Sequence, residues 1–128
     1  MRFLIDTHVF LWWLIDDARL SDSSQNLISN PENAIFVSSA SAWEIAIKFR
    51  LGKLPGARAM VNDIPACIAN QGFKELAITA EDGQRAGLLE TVLRDPFDRM
   101  LIAQSQNHGL VLITKDQDMY QKGVDTVW

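Results

Sequence analysis

Short apolar runs alternate with amphipathic stretches along the whole chain, and this alternation constrains the fold more than any other feature. The runs predicted as strands are residues 3–5, 34–37, 76–78, 110–113 and, as a final edge strand, 126–128. Strands that alternate with helices favour a parallel sheet that is covered on both faces. We therefore predict an α/β fold with a central, mainly parallel β-sheet flanked by α-helices on both faces, as one domain over residues 1–128.

The stretches between the strands predict helices with recognisable start and stop residues. We expect helices over residues 7–15, 21–30, 41–51, 58–70 with an interruption, 80–90 and 96–107. Asp63 suits the N-cap before Pro65, and Asp95 suits the N-cap before Pro96, since proline is favoured in the first turn of a helix. Thr79 suits the N-cap of the helix over residues 80–90, and Gly109 ends the last helix.

Composition excludes several classes of protein. The chain has 12 Lys and Arg against 16 Asp and Glu, and its net charge is −4. Domains that bind nucleic acid through bulk positive charge usually have a pI above about 9. A chain with a negative net charge is therefore not expected to bind nucleic acid in this way. Cys67 is the only cysteine, so an internal disulfide is excluded and a cytoplasmic location is expected. The apolar run over residues 9–15 is much shorter than the roughly 20 residues of a membrane span.

Four acidic residues lie at or near the ends of predicted strands. Asp6 comes directly after the first strand, and Asp116 follows the strand over residues 110–113. Glu44 lies one turn into the helix that follows the second strand, and Asp98 lies in the first turn of the helix that leads to residues 110–113. Since ligands of open α/β sheets bind beyond the carboxyl ends of the strands, we expect these four carboxylates to converge at one edge.

Carboxylates that converge repel one another, so the cluster makes chemical sense if a divalent cation lies between them. Mg²⁺ and Mn²⁺ prefer carboxylate and water oxygens, and such ions activate water in phosphodiester hydrolysis. His8 and His108 are the only histidines, so we expect no zinc site of the His/Cys type. The acids therefore predict a magnesium or manganese site.

Each acid also has a structural interpretation that the residues leave open. Asp6 suits an N-cap, and Ser41 with Glu44 has the spacing of a capping box. Asp98 suits the first turn of a helix through its dipole, and Asp116 suits a turn. The shared location of the four acids favours the metal site over these separate roles.

One basic segment contrasts with the acidic chain. Residues 45–62 contain no acid but include Lys48, Arg50, Lys53 and Arg58. These cations fit either a solvated helix face or contacts to a phosphate backbone. Arg99, directly after Asp98, fits the same contact or a pair with a nearby acid.

Four segments resemble the PIN domain family, and within it the single-domain VapC-like toxins of type II toxin–antitoxin modules. They are residues 6–12 (DTHVFLW), 41–45 (SAWEI), 95–104 (DPFDRMLIAQ) and 112–116 (LITKD), and together they span essentially the whole chain in the right order. One departure is Leu93, a position at which related members often carry a histidine.

The resemblance implies a Mg²⁺- or Mn²⁺-dependent endoribonuclease with the PIN-like fold that hydrolyses RNA phosphodiester bonds. Its motifs assign the catalytic and metal-binding roles to Asp6, Glu44, Asp98 and the more distant Asp116. Structural or supporting roles fall to Asp95, Thr7, Ser41 and Thr114. The expected RNA contacts are Lys48, Arg50 and Arg99. The resemblance also implies a homodimer that a cognate antitoxin protein holds inactive.

Two other functions are compatible with the sequence. A catalytically silent PIN-like binding protein would keep the acids without cleaving RNA. A receiver-type phosphoacceptor domain shares the length, the parallel sheet and the acids at strand ends, but it usually needs paired acids after the first strand. Here Thr7 follows Asp6. Cleavage of RNA separates the first alternative, and labelling by a phosphodonor separates the second.

Overall fold

All five strands pair in one sheet in this computed structural model, which describes residues 1–128. The strands are β1 (Arg2–Ile5), β2 (Ala34–Ser38), β3 (Lys74–Leu76), β4 (Val111–Ile113) and β5 (Thr126–Val127). Every pair is parallel, and the order across the sheet is β3-β2-β1-β4-β5. The predicted parallel sheet, with its C-terminal edge strand, is confirmed.

Six α-helices connect the strands. They are α1 (Thr7–Leu14), α2 (Asp22–Ser29), α3 (Ser39–Arg50), α4 (Ile64–Asn70), α5 (Ala80–Leu88) and α6 (Pro96–His108), with 3₁₀ turns at Pro55–Ala57 and Gln117–Met119. The predicted N-caps Asp63, Thr79 and Asp95 all accept backbone hydrogen bonds from their helices. Gly109 ends α6 in the left-handed conformation, at a φ of 62°. None of the helices has the length and apolar character that crossing a bilayer requires.

Three predicted boundaries are wrong, each for a local reason. Helix α3 begins at Ser39 because β2 runs on to Ser38, whose hydroxyl caps the helix by accepting from the Ala40 N–H at 3.0 Å. Strand β3 lies two residues earlier than predicted, because it is an edge strand with an exposed, polar start at Lys74. The stretch predicted as an interrupted helix from residue 58 is helical only over Ile64–Asn70.

The sheet separates two apolar cores, because successive strand residues point to opposite faces. In β1, Phe3 and Ile5 belong to the larger core, which α1 to α4 cover. Leu4 points the other way, into a smaller core with Leu101 and Ile102 of α6. Helices therefore cover both faces, as predicted, and the polar ends of the strands are left at the edge of the sheet.

The strand order reverses between β1 and β4, which are adjacent although one starts the chain and the other lies near its end. Such a reversal opens a crevice at the carboxyl ends of the strands, the usual ligand site of open α/β sheets. In flavodoxin-like sheets, the architecture of receivers, the third strand lies beside the first. Here β4 takes that place, so the topology argues against the receiver alternative.

Candidate metal centre

Asp6 lies at the carboxyl end of β1, at the reversal of strand order. Its carboxylate is 8% exposed, and Oδ1 accepts a hydrogen bond from the Val9 N–H at 2.8 Å, which caps α1. Oδ2 accepts a hydrogen bond from the Thr114 hydroxyl at the end of β4. Burial raises the pKa of Asp6, and these two hydrogen bonds oppose the rise. Asp6 is thus both an N-cap and a buried acid at the strand end.

Thr114 connects the fourth acid to the first. The Asp116 N–H donates to Thr114 Oγ1 at 3.1 Å, while the Thr114 hydroxyl donates to Asp6. Asp116 itself is exposed, and its Oδ1 accepts from the Asp118 N–H at 2.9 Å. The turn interpretation of Asp116 therefore holds, and one carboxylate oxygen still faces solvent beside the crevice.

Glu44 lies on the second turn of α3 and is 4% exposed. The capping box predicted for Ser41 and Glu44 does not form, because both residues lie inside the helix. Ser41 instead accepts a hydrogen bond from the Thr7 hydroxyl at 2.9 Å, which joins α3 to α1. Glu44 Oε2 forms an ion pair with Lys48, one helical turn further along, at 2.5 Å. Lys48 therefore neutralises Glu44 in this structure.

Asp98 is a partly buried acid near three other acids of the site. Asp95 caps α6 by accepting from the N–H groups of Phe97 and Asp98, at 2.8 and 3.2 Å, and so fixes the turn that carries Asp98. Burial, and to a smaller extent the negative charges of Asp95, Glu44, Asp116 and Asp6, together raise the pKa of Asp98 to about 7. The four predicted acids therefore act on one another electrostatically, although they come from four separate segments.

The side chains do not form a finished coordination shell as they stand. No three His, Cys, Asp or Glu side chains come close enough together to hold one ion. The partners described above account for this separation, since Lys48 holds Glu44 while Thr114 and Val9 hold Asp6. The donor set consists only of oxygen, which fits the chemistry of Mg²⁺ or Mn²⁺ and not that of a thiolate or imidazole site.

The predicted basic residues have different environments. Arg50 is exposed at the last residue of α3. Arg99 is committed within the fold, because its guanidinium donates to four backbone carbonyls at 2.8–3.2 Å, two in α5 (Ala86 and Gly87) and two in the segment that follows it (Leu89 and Leu93). It pairs with no acid and holds the loop that leads into α6. Lys48 is partly buried in its ion pair with Glu44 and lies, like Arg50, in the last turn of α3.

Sequence reasoning missed the aromatic pair beside the acids. Trp43 and Phe97 meet edge to face with ring centroids 5.2 Å apart, and they directly precede Glu44 and Asp98. The pair joins α3 to α6 and so brings the two acids to the same side. Trp43 is nevertheless 61% exposed. The available signal was a tryptophan directly before a glutamate on a helix. Neighbouring helical residues point in different directions, so an inward Glu44 leaves Trp43 on another face.

A parallel sheet that gathers carboxylates where its strand order reverses defines an α/β protein with an acidic site at the strand ends. The PIN domain family model matches residues 3–125, and the chain belongs to this family. The match covers the segments that carry all four acids.

Individual relatives agree with this assignment. A segment of 57 residues is 35% identical to ribonuclease VapC16 of Mycobacterium tuberculosis, and the match spans 44% of this chain and 40% of that protein. The fold is similar to a VapBC2 structure from Rickettsia felis bound to a promoter DNA fragment, with a TM-score of 0.70, 15% identity, and coverage of 100% of this chain and 99% of that chain. A toxin–antitoxin complex from Klebsiella pneumoniae aligns with a TM-score of 0.61 and 23% identity, covering 98% and 96% of the two chains.

Proposed function

We propose that this chain is a divalent-metal-dependent endoribonuclease, with Mg²⁺ or Mn²⁺ as its ion, and the toxin of a type II toxin–antitoxin module. The observation that carries the proposal is the environment of Asp98. Its carboxyl group is partly buried among four other carboxylates, which together with burial raise its pKa to about 7. Such a cluster is unfavourable without a cation and favourable with one.

In this proposal Asp6, Glu44 and Asp98 hold the ion, and Asp116 completes the acidic site. When bound, the ion supplies a Lewis acid that activates water and offsets negative charge on the phosphate. Asp98 would hold such an ion as the deprotonated carboxylate, and Glu44 would hold it in exchange for, or together with, the ammonium of Lys48. Thr114 and the Val9 N–H keep Asp6 in place during that exchange, since each holds a different oxygen of its carboxylate.

Lys48 and Arg50 are the proposed contacts to the RNA backbone. Both lie in the last turn of α3, on the helix that carries Glu44. Phosphate contacts of this kind position the strand without reading its sequence. Asp95, Thr7, Ser41 and Thr114 act on the site through the hydrogen bonds described above. Arg99 is not part of this proposal as an RNA contact, because its donors are already used.

A cognate antitoxin, a homodimeric state and a cytoplasmic location complete the proposal. The support for the antitoxin is the likeness in fold to the R. felis VapBC2 and K. pneumoniae structures, the second of which is described as a toxin–antitoxin complex. The support for ribonuclease activity is the partial match to a protein named ribonuclease VapC16. The acids of this chain supply the chemical reason for the ribonuclease activity.

The test is cleavage of a mixed RNA pool by antitoxin-free protein with Mg²⁺, with Mn²⁺ and with a chelator. Asp98→Asn is the site variant, and Asp118→Asn is its matched control, because Asp118 is an exposed acid in the same region. We expect metal-dependent cleavage by the wild type and by Asp118→Asn, and none by Asp98→Asn. Calorimetric titration with Mn²⁺ gives a second readout, and binding should weaken only in Asp98→Asn.

The possible results separate the alternatives. Cleavage that persists in Asp98→Asn contradicts the assigned site. Mn²⁺ binding without any RNA cleavage by folded wild-type protein favours the silent PIN-like binding protein. Incorporation of phosphate from a small phosphodonor would favour the receiver alternative, which the strand order already opposes.

A further inference from the structure

A cleft next to the acidic site is lined by apolar and basic residues and not by carboxylates. It lies between α1 and the 3₁₀ turn Pro55–Ala57 and has a volume of about 280 Å³. Leu11, Leu54 and Met60 give it an apolar interior. Ligand sites generally measure roughly 300–1,000 Å³, so this cleft has room for one small group.

This cleft is continuous with the acidic site. A second depression, lined by Asp6 and Asp116 among others, shares His8, Trp12 and Arg19 with it. A ligand held by the acids therefore has the cleft directly beside it.

The lining carries positive charge, in contrast to the chain as a whole. Arg19 and Lys53 are its charged residues, and no carboxylate lines it. Lys53 has no carboxylate oxygen within ion-pairing distance, whereas Arg19 pairs with Asp17 at 2.7 Å. The cleft thus offers one free cation and one partly neutralised cation beside a cluster of acids, an arrangement that suits a phosphodiester.

One wall of the cleft is formed by Arg19 and Trp12. The Arg19 guanidinium carbon lies over the ring of Trp12, 5.0 Å from its centroid. Asp17 accepts from Arg19 Nε at 3.0 Å and from Nη2 at 2.7 Å, so the guanidinium is held in this orientation. Aromatic rings and guanidinium planes are the surfaces on which single-stranded bases stack.

We propose that this cleft binds the base of one RNA nucleotide, the nucleotide next to the phosphate that lies at the acidic site. The base stacks against the wall formed by Trp12 and Arg19 and enters the apolar interior, and Lys53 contacts its phosphate. The cleft therefore contributes to the choice of cleavage position. This inference rests on the proposed ribonuclease function and names a specificity-determining subsite for it.

The first experiment observes binding without catalysis. The full chain, in chelator, is titrated with each of the four nucleoside 5′-monophosphates while its amide and side-chain N–H resonances are followed by NMR. We expect the Gly56 amide, the Trp12 indole and the Arg19 Nε signals to shift, and the Gly83 amide to stay. No shift in these signals, or the same shift with inorganic phosphate alone, overturns the proposal.

The second experiment narrows the cleft. Gly56 lies in the lining and is exposed, and an added Cβ there meets no heavy atom within 4 Å, so Gly56→Leu is tolerated locally. Gly83→Leu is the matched control, at an exposed position on α5 with equally open space. We expect kcat/KM on RNA to fall about tenfold in Gly56→Leu, with a weaker base preference beside the cut, and no change in Gly83→Leu.

The outcomes distinguish this inference from the ribonuclease proposal. Asp98→Asn should show the nucleotide-induced shifts while cutting no RNA. If Gly56→Leu cleaves RNA with the rate and the base preference of the wild type, the proposed base subsite is wrong and the ribonuclease proposal stands. If Gly56→Leu cuts normally but loses affinity for a cognate antitoxin, the cleft is a protein-docking surface and the proposal is wrong. A wild type that cuts no RNA refutes the ribonuclease, and the NMR titration still decides whether the cleft binds a base.

Discussion

The Thr114 hydroxyl donates a hydrogen bond to the Asp6 carboxylate, and the two residues are 108 positions apart in the chain. The contact is possible because β1 and β4 are adjacent parallel strands, with Ile5 opposite Ile113. Thr114 also accepts from the Asp116 N–H at 3.1 Å. The buried hydroxyl of Thr114 therefore orients two parts of the site. It holds Asp6 at the end of β1, and it holds the turn after β4 that carries Asp116.

Thr114→Val should weaken divalent metal binding while keeping the fold. The side chains are similar in shape, but valine removes the donor to Asp6 and leaves the Asp116 N–H without its acceptor. Hydrogen bonds to charged groups contribute roughly 1.5–3 kcal/mol, so we expect Mn²⁺ affinity to fall about tenfold or more. Calorimetric titration measures this, and Thr114→Ser should restore most of the affinity. Wild-type affinity in the valine variant would show that Asp6 needs no such support.

Asp98→Asn should stabilise the metal-free protein at neutral and alkaline pH. The folded pKa of Asp98 is about 7 against an ordinary value of 3.8, so the folded state retains a proton that the unfolded chain releases. Stability of the wild type should therefore fall as pH rises from about 4 through 7, by less than the roughly 4 kcal/mol that the full shift would give, because solvent screens the partly exposed carboxyl group. The asparagine variant should lack this fall. Urea unfolding in chelator at several pH values tests the difference.

Asp95→Asn and Asp95→Ala separate two roles of Asp95. It carries a negative charge three residues before Asp98, and it caps α6. Replacing it with alanine should cost about 1 kcal/mol, since Phe97 and Asp98 lose the acceptor of their N–H groups. Asparagine can still cap the helix, so it should cost less. A stabilising effect of Asp95→Ala equal to that of Asp98→Asn would mean that charge repulsion, and not helix capping, dominates at both positions.

Lys48→Met should have opposite effects on fold stability and metal affinity. Glu44 is buried, and loss of its ion-pair partner leaves the carboxylate uncompensated, at a cost of roughly 1–3 kcal/mol in the metal-free state. The same change removes the ammonium that competes with an incoming cation, so Mn²⁺ should bind several-fold more tightly. Lys122→Met, at an exposed lysine without an ion pair, is the control. Weaker Mn²⁺ binding in Lys48→Met would place Lys48 outside the exchange proposed here.

The local pattern of the sequence predicts most of the fold and the positions of the acids. Asp6 and Asp116 follow short apolar strands, and this order along the chain is sufficient to place them at the same edge of a parallel sheet. The caps Asp63, Thr79 and Asp95 are equally local signals. These features are predictable because each depends on residues only a few positions apart.

The features that sequence could not predict depend on contacts between distant segments. The spacing of Ser41 and Glu44 fits a capping box, but β2 extends to Ser38 and moves the start of α3, which leaves Ser41 to bond Thr7. Arg99 fits an RNA contact by its position beside Asp98, but in the fold its guanidinium donates to two carbonyls of α5 and two of the loop that follows. The contact of Arg19 with the ring of Trp12 likewise depends on the conformation of the turn after α1, which brings Arg19 back over the helix.

Asp82 links α5 to the end of α6, on a part of the molecule that the acidic site does not use. It is fully buried, and it accepts from the Thr79 N–H at 3.0 Å and from Asn107 Nδ2 at 2.9 Å, with His108 Nε2 at 3.2 Å. Burial raises the pKa of Asp82, but these hydrogen bonds outweigh it and lower the pKa to about 2.

Asp82→Asn should therefore reduce the sensitivity of the fold to acid. Because the folded pKa of Asp82 is depressed, its contribution is fully present above the ordinary value of 3.8 and is lost as pH falls from about 4 through 2. The variant should lose about 2 kcal/mol of unfolding free energy at pH 7 and show a flatter decline in acid. Asp17→Asn is the control, because Asp17 also has a lowered pKa but pairs with Arg19 at the surface, where such pairs stabilise little. Urea unfolding at pH values on both sides of the window measures both variants. Equal acid sensitivity in Asp82→Asn and the wild type would assign the acid response to other carboxylates.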